Sequence, residues 1–175
     1  YGYVLNTEPV AFKIDGSKTV VTVEKRNMPQ KGIIRLQKNG EVFESVNKSD
    51  GVYQPVFANK GLAGAVYEIT AAEDIITPDG TLRYAKGTAA DTVTTDKKGN
   101  AASKPLYLGK YTVREIKAPY GTVLNGTPET VELTYAGETI EVTETAIELY
   151  NERQKAEVSL FKTLDKDEIF NIGNN

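Results

Sequence analysis

Apolar and polar residues alternate in short runs along most of the chain. Ile34 and Leu36 share one face of such a run with Lys38, while Ile33, Arg35 and Gln37 occupy the other. The same alternation recurs in Val158, Leu160 and Lys162. Residues 65–70, 111–117, 129–135 and 139–151 also read as strands. Pro78-Asp79-Gly80, Lys98-Gly99-Asn100 and Ala136-Gly137 are turn signals. Asn39-Gly40 predicts a hairpin between residues 33–38 and 41–46. No window sustains a helical period with caps. Short strands separated by Gly/Pro turns at a spacing of about 8–12 residues point to an all-β sandwich.

One run is irregular. Within 139–151 the apolar parity is even at Ile140 and Val142, then odd at Ile147 and Leu149. A strand changes faces only by taking an extra residue, so a bulge or break is expected near 144–146.

The chain also echoes itself. Tyr1-Gly2-Tyr3-Val4-Leu5-Asn6 recurs 119 residues later as Tyr120-Gly121-Thr122-Val123-Leu124-Asn125, and Pro9 recurs as Pro128. A second echo has an offset of 124: Asn27, Gln30, Lys31, Leu36 and Lys38 fall on Asn151, Gln154, Lys155, Leu160 and Lys162. Two echoes in the same order read as tandem repeats. Residues 1–29 are expected to be the C-terminal strands of one repeat, 31–152 a complete repeat, and 155–175 the first strand or strands of a third. Tyr1 follows no basic or apolar leader, so it reads as the start of an excised fragment.

Composition narrows the chemistry. The 175 residues include no His, no Cys and no Trp. Imidazole and thiolate nucleophiles, zinc knuckles, iron–sulfur clusters and disulfides are thereby excluded. The net charge of −3 offers no basic stripe for nucleic acid, and Lys97, Lys98 and Lys104 are too sparse to track phosphates. No apolar run is long enough for a membrane-spanning helix. Asp165-Lys166-Asp167-Glu168 lacks the spaced ligands and glycine of a calcium loop and reads as a solvated turn. Glu138, Glu141, Glu144 and Glu148 read as exposed strand positions rather than a glycosidase pair. No metal or cofactor is expected.

Strand parity exposes three misplaced polar residues. Lys38 shares a face with Ile34 and Leu36, Glu115 with Tyr111 and Val113, and Asn151 with Ile147 and Leu149. If those faces point inward, a lysine, a glutamate and an asparagine are aimed at the core. An isolated buried charge costs several kcal/mol or titrates to its neutral form. Each one alone would be read as a strand end snorkelling to water. Three together, with the Asn and Lys recurring as Asn27 and Lys162, favour a built site.

The stretch Leu108-Gly109-Lys110-Tyr111-Thr112-Val113-Arg114-Glu115-Ile116-Lys117-Ala118-Pro119-Tyr120-Gly121 resembles the glutamate box of Cna protein B-type domains, the repeats of Gram-positive collagen adhesins and pilins. Gly64-Ala65-Val66-Tyr67-Glu68-Ile69, Thr95-Asp96-Lys97-Lys98-Gly99 and the opening strand from Gly32 to Lys38 resemble further pieces of that family. Val113 and Thr122 depart from its box. The resemblance implies an Ig-like/prealbumin-like β-sandwich. It also implies a self-made isopeptide bond, with Lys38 as nucleophile, Asn151 as electrophile and Glu115 as the assisting acid, hydrogen-bonded to the Asn151 carbonyl and passing a proton to the leaving ammonia. Such a chain is not an enzyme in the ordinary sense, because the reaction turns over once.

The resemblance further implies a structural stalk module of a cell-wall-anchored adhesin or pilus protein, displayed outside the cell, with neighbouring repeats as its partners. The alternative is a module that binds host matrix protein or glycan through 71–104, an Ala/Thr/Asp-rich stretch with little periodicity that reads as a long loop. Asn27 and Lys162 are the corresponding crosslink positions of the neighbouring repeats. Neither flank carries a glutamate box, so no bond is expected at either. The flanks 1–29 and 155–175 are expected to pair with each other, within a chain or between neighbouring chains.

Overall fold

The computed structural model describes residues 2–14, 16 and 20–163. The chain is all-β over these residues. Its first strands, β1 (Tyr3–Val4) and β2 (Met28–Pro29), pair only with each other. β3 (Lys31–Ser49) then runs for 19 residues and turns back through Asp50-Gly51 into β4 (Val52–Gly61). After it come β5 (Val66–Ala71), β6 (Ile75–Ile76), β7 (Leu82–Tyr84), β8 (Ala89–Thr94), β9 (Asn100–Ala102), β10 (Leu106–Tyr107), β11 (Gly109–Lys117), β12 (Glu129–Leu133) and β13 (Val142–Asn151).

Two sheets form the sandwich. In one, β3 is central and pairs with β13, β10, β9 and β4; the other has the order β12-β11-β5-β8. The first and last strands of the domain are neighbours, since β13 pairs in parallel with β3 from Val142↔Lys31 to Asn151↔Gly40. Alternation decides what lies between the sheets. Ile34 and Leu36 from β3 meet Tyr67 and Ile69 from β5, Tyr111 and Val113 from β11, and Val131 and Leu133 from β12, all buried. Burying these side chains supplies the main driving force for folding, roughly 1.5–3 kcal/mol for each large one.

Several sequence expectations are corrected here. Asn39-Gly40 is not a hairpin turn; both residues lie within β3, paired with β13 and β4. Gly40 is buried there, and a Cβ at this position would lie 2.6 Å from Leu62 Cδ1 and 2.8 Å from the Asn151 backbone oxygen, so the close packing calls for glycine. The turn falls instead at Asp50-Gly51, where both residues have positive φ, the geometry of a two-residue hairpin loop. No bulge interrupts 144–146, and the β13 register to β3 is continuous. Ile140 precedes the strand, and from Thr143 to Asn151 the odd residues face inward, so the parity conflict dissolves. Register shifts lie elsewhere, among them one in β11 between Glu115 and Lys117 opposite β5 and one in β3 between Phe43 and Ser45 opposite β4.

Residues 71–104 are not a loop. They supply β6 to β9, and β8 and β9 are bound into the two sheets. Ala71, Ile75, Ala90 and Val93 from this stretch sit in the core. The run Val158–Lys162 forms no strand, and Val158, Leu160 and Phe161 are about nine-tenths exposed for want of a partner. Pairing of 1–29 with 155–175 is absent among the described residues. Tyr1, the tract 165–168 and the rest of the C-terminal piece from 164 lie outside them.

Candidate crosslink site

Lys38, Glu115 and Asn151 converge between the sheets, each at most 3% exposed. Their placement follows from period-two alternation on β3, β11 and β13. Lys38 extends the buried row Ile34–Leu36, Glu115 extends Tyr111–Val113, and Asn151 extends the inward row through Ile147 and Leu149.

The backbone of Lys38 is held from two sides. Its N–H donates to the Gly99 carbonyl at 2.7 Å, and its carbonyl accepts from the Leu62 N–H at 2.9 Å. The Thr95–Gly99 turn provides the first contact. Asp96 accepts from the N–H groups of Lys98 and Asn100 at 2.8 and 2.9 Å, which closes the turn. Gly99 has φ +82°, and a Cβ there would lie 2.2 Å from the Lys38 oxygen. Glycine is therefore required both for backbone conformation and for close approach.

The side chains form a tight cluster. Lys38 Nζ donates to Asn151 Oδ1 at 2.6 Å. Asn151 Nδ2 donates to both carboxyl oxygens of Glu115 at 2.9 Å. Lys38 Nζ is 3.7 Å from Glu115 Oε1. Glu115 thus faces the amide nitrogen of Asn151, whereas the resemblance had it on the carbonyl; the Lys38 amine occupies the carbonyl side instead. Glu115 also accepts from the Tyr67 hydroxyl at 3.3 Å and the Asn125 N–H at 2.8 Å. The Ala118–Gly121 turn makes the latter contact possible. Thr122 donates through its N–H and hydroxyl to the Pro119 carbonyl, and the chain swings back so that Asn125 reaches Glu115.

Burial pushes the Lys38 pKa below its ordinary value, against the opposing pull of Glu115. Burial, and then the adjacent Glu115 charge, pushes the Tyr67 phenol up. Tyr67 is therefore a neutral hydroxyl donor, and the Lys38 ring contact with Tyr67 is 5.9 Å. Among the described residues, no buried side-chain polar atom lacks a partner and no group of three acidic side chains gathers as a metal site.

Tyr67, Thr122 and Asn125 escaped sequence reasoning as site residues. Tyr67 was legible only as part of the 65–70 strand and of the family-like stretch around it, and Asn125 contributes a backbone N–H that no residue pattern announces. Among the described residues, neither Asn27 nor Lys162 takes part in such a cluster. Asn27 is exposed and accepts from the Asn6 N–H at 3.1 Å, and Lys162 is exposed.

The chain matches the SpaA prealbumin-like fold domain family over residues 56–147, more than half its length, and belongs to that Cna protein B/SpaA-type family. The matched range contains Glu115 and stops short of Lys38 and Asn151. No curated protein matches the chain.

Similar solved structures include the minor pilin GBS52 of Streptococcus agalactiae, at 17% identity and a TM-score of 0.47, covering 76% of this chain and 49% of that one. The major pilin SpaD of Corynebacterium diphtheriae is 24% identical with a TM-score of 0.45, covering 71% and 30%. The TIE protein of Bacillus anthracis is 24% identical with a TM-score of 0.44, covering 73% and 17%. The chain therefore spans less than half the length of each of these three proteins.

Proposed function

We propose that residues 31–152 form a structural stalk module of a Gram-positive cell-surface adhesin or pilus protein, stabilised by a self-catalysed Lys38–Asn151 isopeptide bond assisted by Glu115. The family supports the surface role. The observation that carries the crosslink is the juxtaposition of Lys38 Nζ, 2.6 Å from Asn151 Oδ1, with Glu115 on the departing nitrogen at 2.9 Å.

The chemistry balances without a cofactor. Proton transfer from the Lys38 ammonium to Glu115 leaves a neutral, nucleophilic amine, the form that burial favours for this lysine. The amine attacks the side-chain carbonyl carbon of Asn151. A Lys–Asn amide bond forms, the bond from that carbon to Nδ2 breaks, and Glu115 relays the proton from Nζ to Nδ2, which leaves as ammonia. Folding supplies the high effective concentration of the two groups. Tyr67 and the Asn125 N–H hold the carboxyl in place throughout.

The bond spans 113 residues in sequence. In the chain-entropy treatment a crosslink over a loop of that order stabilises by about 4–5 kcal/mol. It also ties the first strand of the domain to the last, so neither peels away under tension or exposes an edge to protease. Flanks 1–29 and 155–175 belong to neighbouring repeats in this reading. Intact-protein mass is the test. The expected mass is that of the sequence less one ammonia, and Glu115→Ala is expected to show its own sequence mass with no ammonia lost; a wild-type mass with no ammonia lost overturns the crosslink.

A further inference from the structure

The two ends of the central domain are built alike, but only one is covered. At its entrance, the Gln30 N–H donates to the Gly2 carbonyl at 2.8 Å, and Tyr3 pairs with Pro29. At its exit, the Gln154 N–H donates to the Gly121 carbonyl at 2.9 Å, and Thr122 bridges Arg153. These are the same positions under the two sequence echoes: Gly2 falls on Gly121, Tyr3 on Thr122, Pro29 on Arg153 and Gln30 on Gln154. Gly2 and Gly121 even share a positive φ, +83° and +76°.

Their surroundings differ. Gln30 is 1% exposed. Its Nε2 donates to the carbonyls of Gly137, at 2.8 Å, and Ile140, and its Oε1 accepts from the Ala136 N–H at 2.9 Å. The Leu5 N–H reaches the Glu138 carbonyl at 2.8 Å. Pro78 lies so close over Gly2 that a Cβ there would be 2.7 Å from its ring. A piece of one repeat is thereby docked on the 136–140 turn and Pro78 of the next. Gln154, by contrast, is exposed, and apart from Gly121 itself and its chain neighbours no heavy atom lies within 4 Å of where a Gly121 Cβ would stand. The two residues border an open hollow lined by Tyr120, Lys155 and Ala156.

We infer that the face formed by Gly121 and Gln154 is the docking surface for the following copy of this repeat, which seats its counterparts of Pro78 and the 136–140 turn there. The occupant is indicated by the entrance joint, where matched residues hold that partner, and by the sequence after Gln154, where Lys155, Leu160 and Lys162 repeat Lys31, Leu36 and Lys38. The glutamine side chain is the key: two donors and an acceptor read three backbone groups of one turn. Successive repeats then share one fixed orientation instead of hanging on a flexible link. The inference rests on the tandem-repeat part of the proposed function and is independent of the crosslink.

The test uses residues 1–154 joined directly to a second copy of 31–154, with one spin label in each copy. The chain has no cysteine of its own, so two introduced cysteines label uniquely. A single narrow inter-label distance is expected, broadening severalfold in Gln154→Ala of the first copy. The same substitution in the 175-residue chain is expected to leave the unfolding midpoint unchanged, because that side chain is exposed there. A broad distance in the unsubstituted tandem overturns the joint, and a narrow distance untouched by Gln154→Ala overturns the role of the glutamine. Ammonia loss measured on the same sample reports separately on the crosslink.

Discussion

Arg35 and Lys38 lie three residues apart on β3, and each has a glutamate in reach. Arg35 grips Glu144 of β13 at 2.6 Å with both side chains about half exposed, whereas Lys38 stands 3.7 Å from Glu115 with both at 1%. Odd spacing put them on opposite faces of one strand. On the outer face water and salt screen the pair, and it does little for stability. On the inner face neither charge is solvated, so burial drives the lysine toward its neutral amine. Face and residue type act together: the outer arginine stays a solvated, permanently charged partner, whereas the inner lysine is driven toward the neutral amine that the proposed crosslink needs.

The sharpest way to break this contrast is to remove the inner partners. Glu115→Gln keeps the shape and one acceptor but abolishes proton relay, so ammonia loss should vanish and denaturant unfolding should fall by about 4–5 kcal/mol. Retention of the mass loss in that variant would exclude Glu115 as the relay. Next in size is Gly99→Ala, whose side chain would meet the Lys38 carbonyl at 2.2 Å. It should cost about 1–3 kcal/mol through backbone strain and slow crosslinking after refolding, as followed by mass against time.

Tyr67→Phe removes one hydrogen bond to Glu115, so a loss of about 1 kcal/mol is expected. Crosslinking should be slower but complete, and an unchanged time course would remove Tyr67 from the site. A pH titration separates the faces further. In Asn151→Ala, Lys38 stays a free amine with a folded pKa below its unfolded one. The unfolded chain then binds the extra proton, and stability should decline as pH falls from the ordinary lysine pKa toward the lowered folded value, flattening below it. The crosslinked wild type should lack that decline, because its Lys38 nitrogen is an amide. Smallest of all, Arg35→Ala should leave both the ammonia loss and the unfolding midpoint essentially unchanged, with or without added salt.

The entrance and exit joints teach the same lesson about context. Gln30 and Gln154 carry the same local backbone pairing, yet one is sealed in a turn and the other open. Likewise Asn27 and Asn151 occupy one position in the echo. Asn151 meets Glu115, whereas Asn27 accepts from Asn6 at the surface, with no glutamate box upstream of it in this chain.

Much of this was legible in the residues. Alternation in 34–38, 111–115 and 147–151 identified three inward polar residues because a strand has a period of two, and the glutamate box supplied their relation. The same period misled at Ile140, which lies in a turn before β13 and so has no strand parity to obey. Asn39-Gly40 carried a genuine hairpin signal, but β13 on one side and β4 on the other bind it into β3, and tertiary pairing outweighs a local turn preference. The stretch 71–104 looked loop-like because its buried residues are small or widely spaced, and β8 and β9 gain stability from neighbouring strands rather than from their own pattern.

By itself, then, the sequence determined the all-β class, the tandem echo and which side chains share a face, since these follow from local periodicity and residue identity. Tertiary structure alone decided that β13 runs parallel to β3, that Glu115 sits on the Asn151 nitrogen rather than its oxygen, and that Gln30 is buried while Gln154 is not. Those facts depend on contacts between residues distant along the chain, and no local pattern encodes the distance or direction in which two such groups meet.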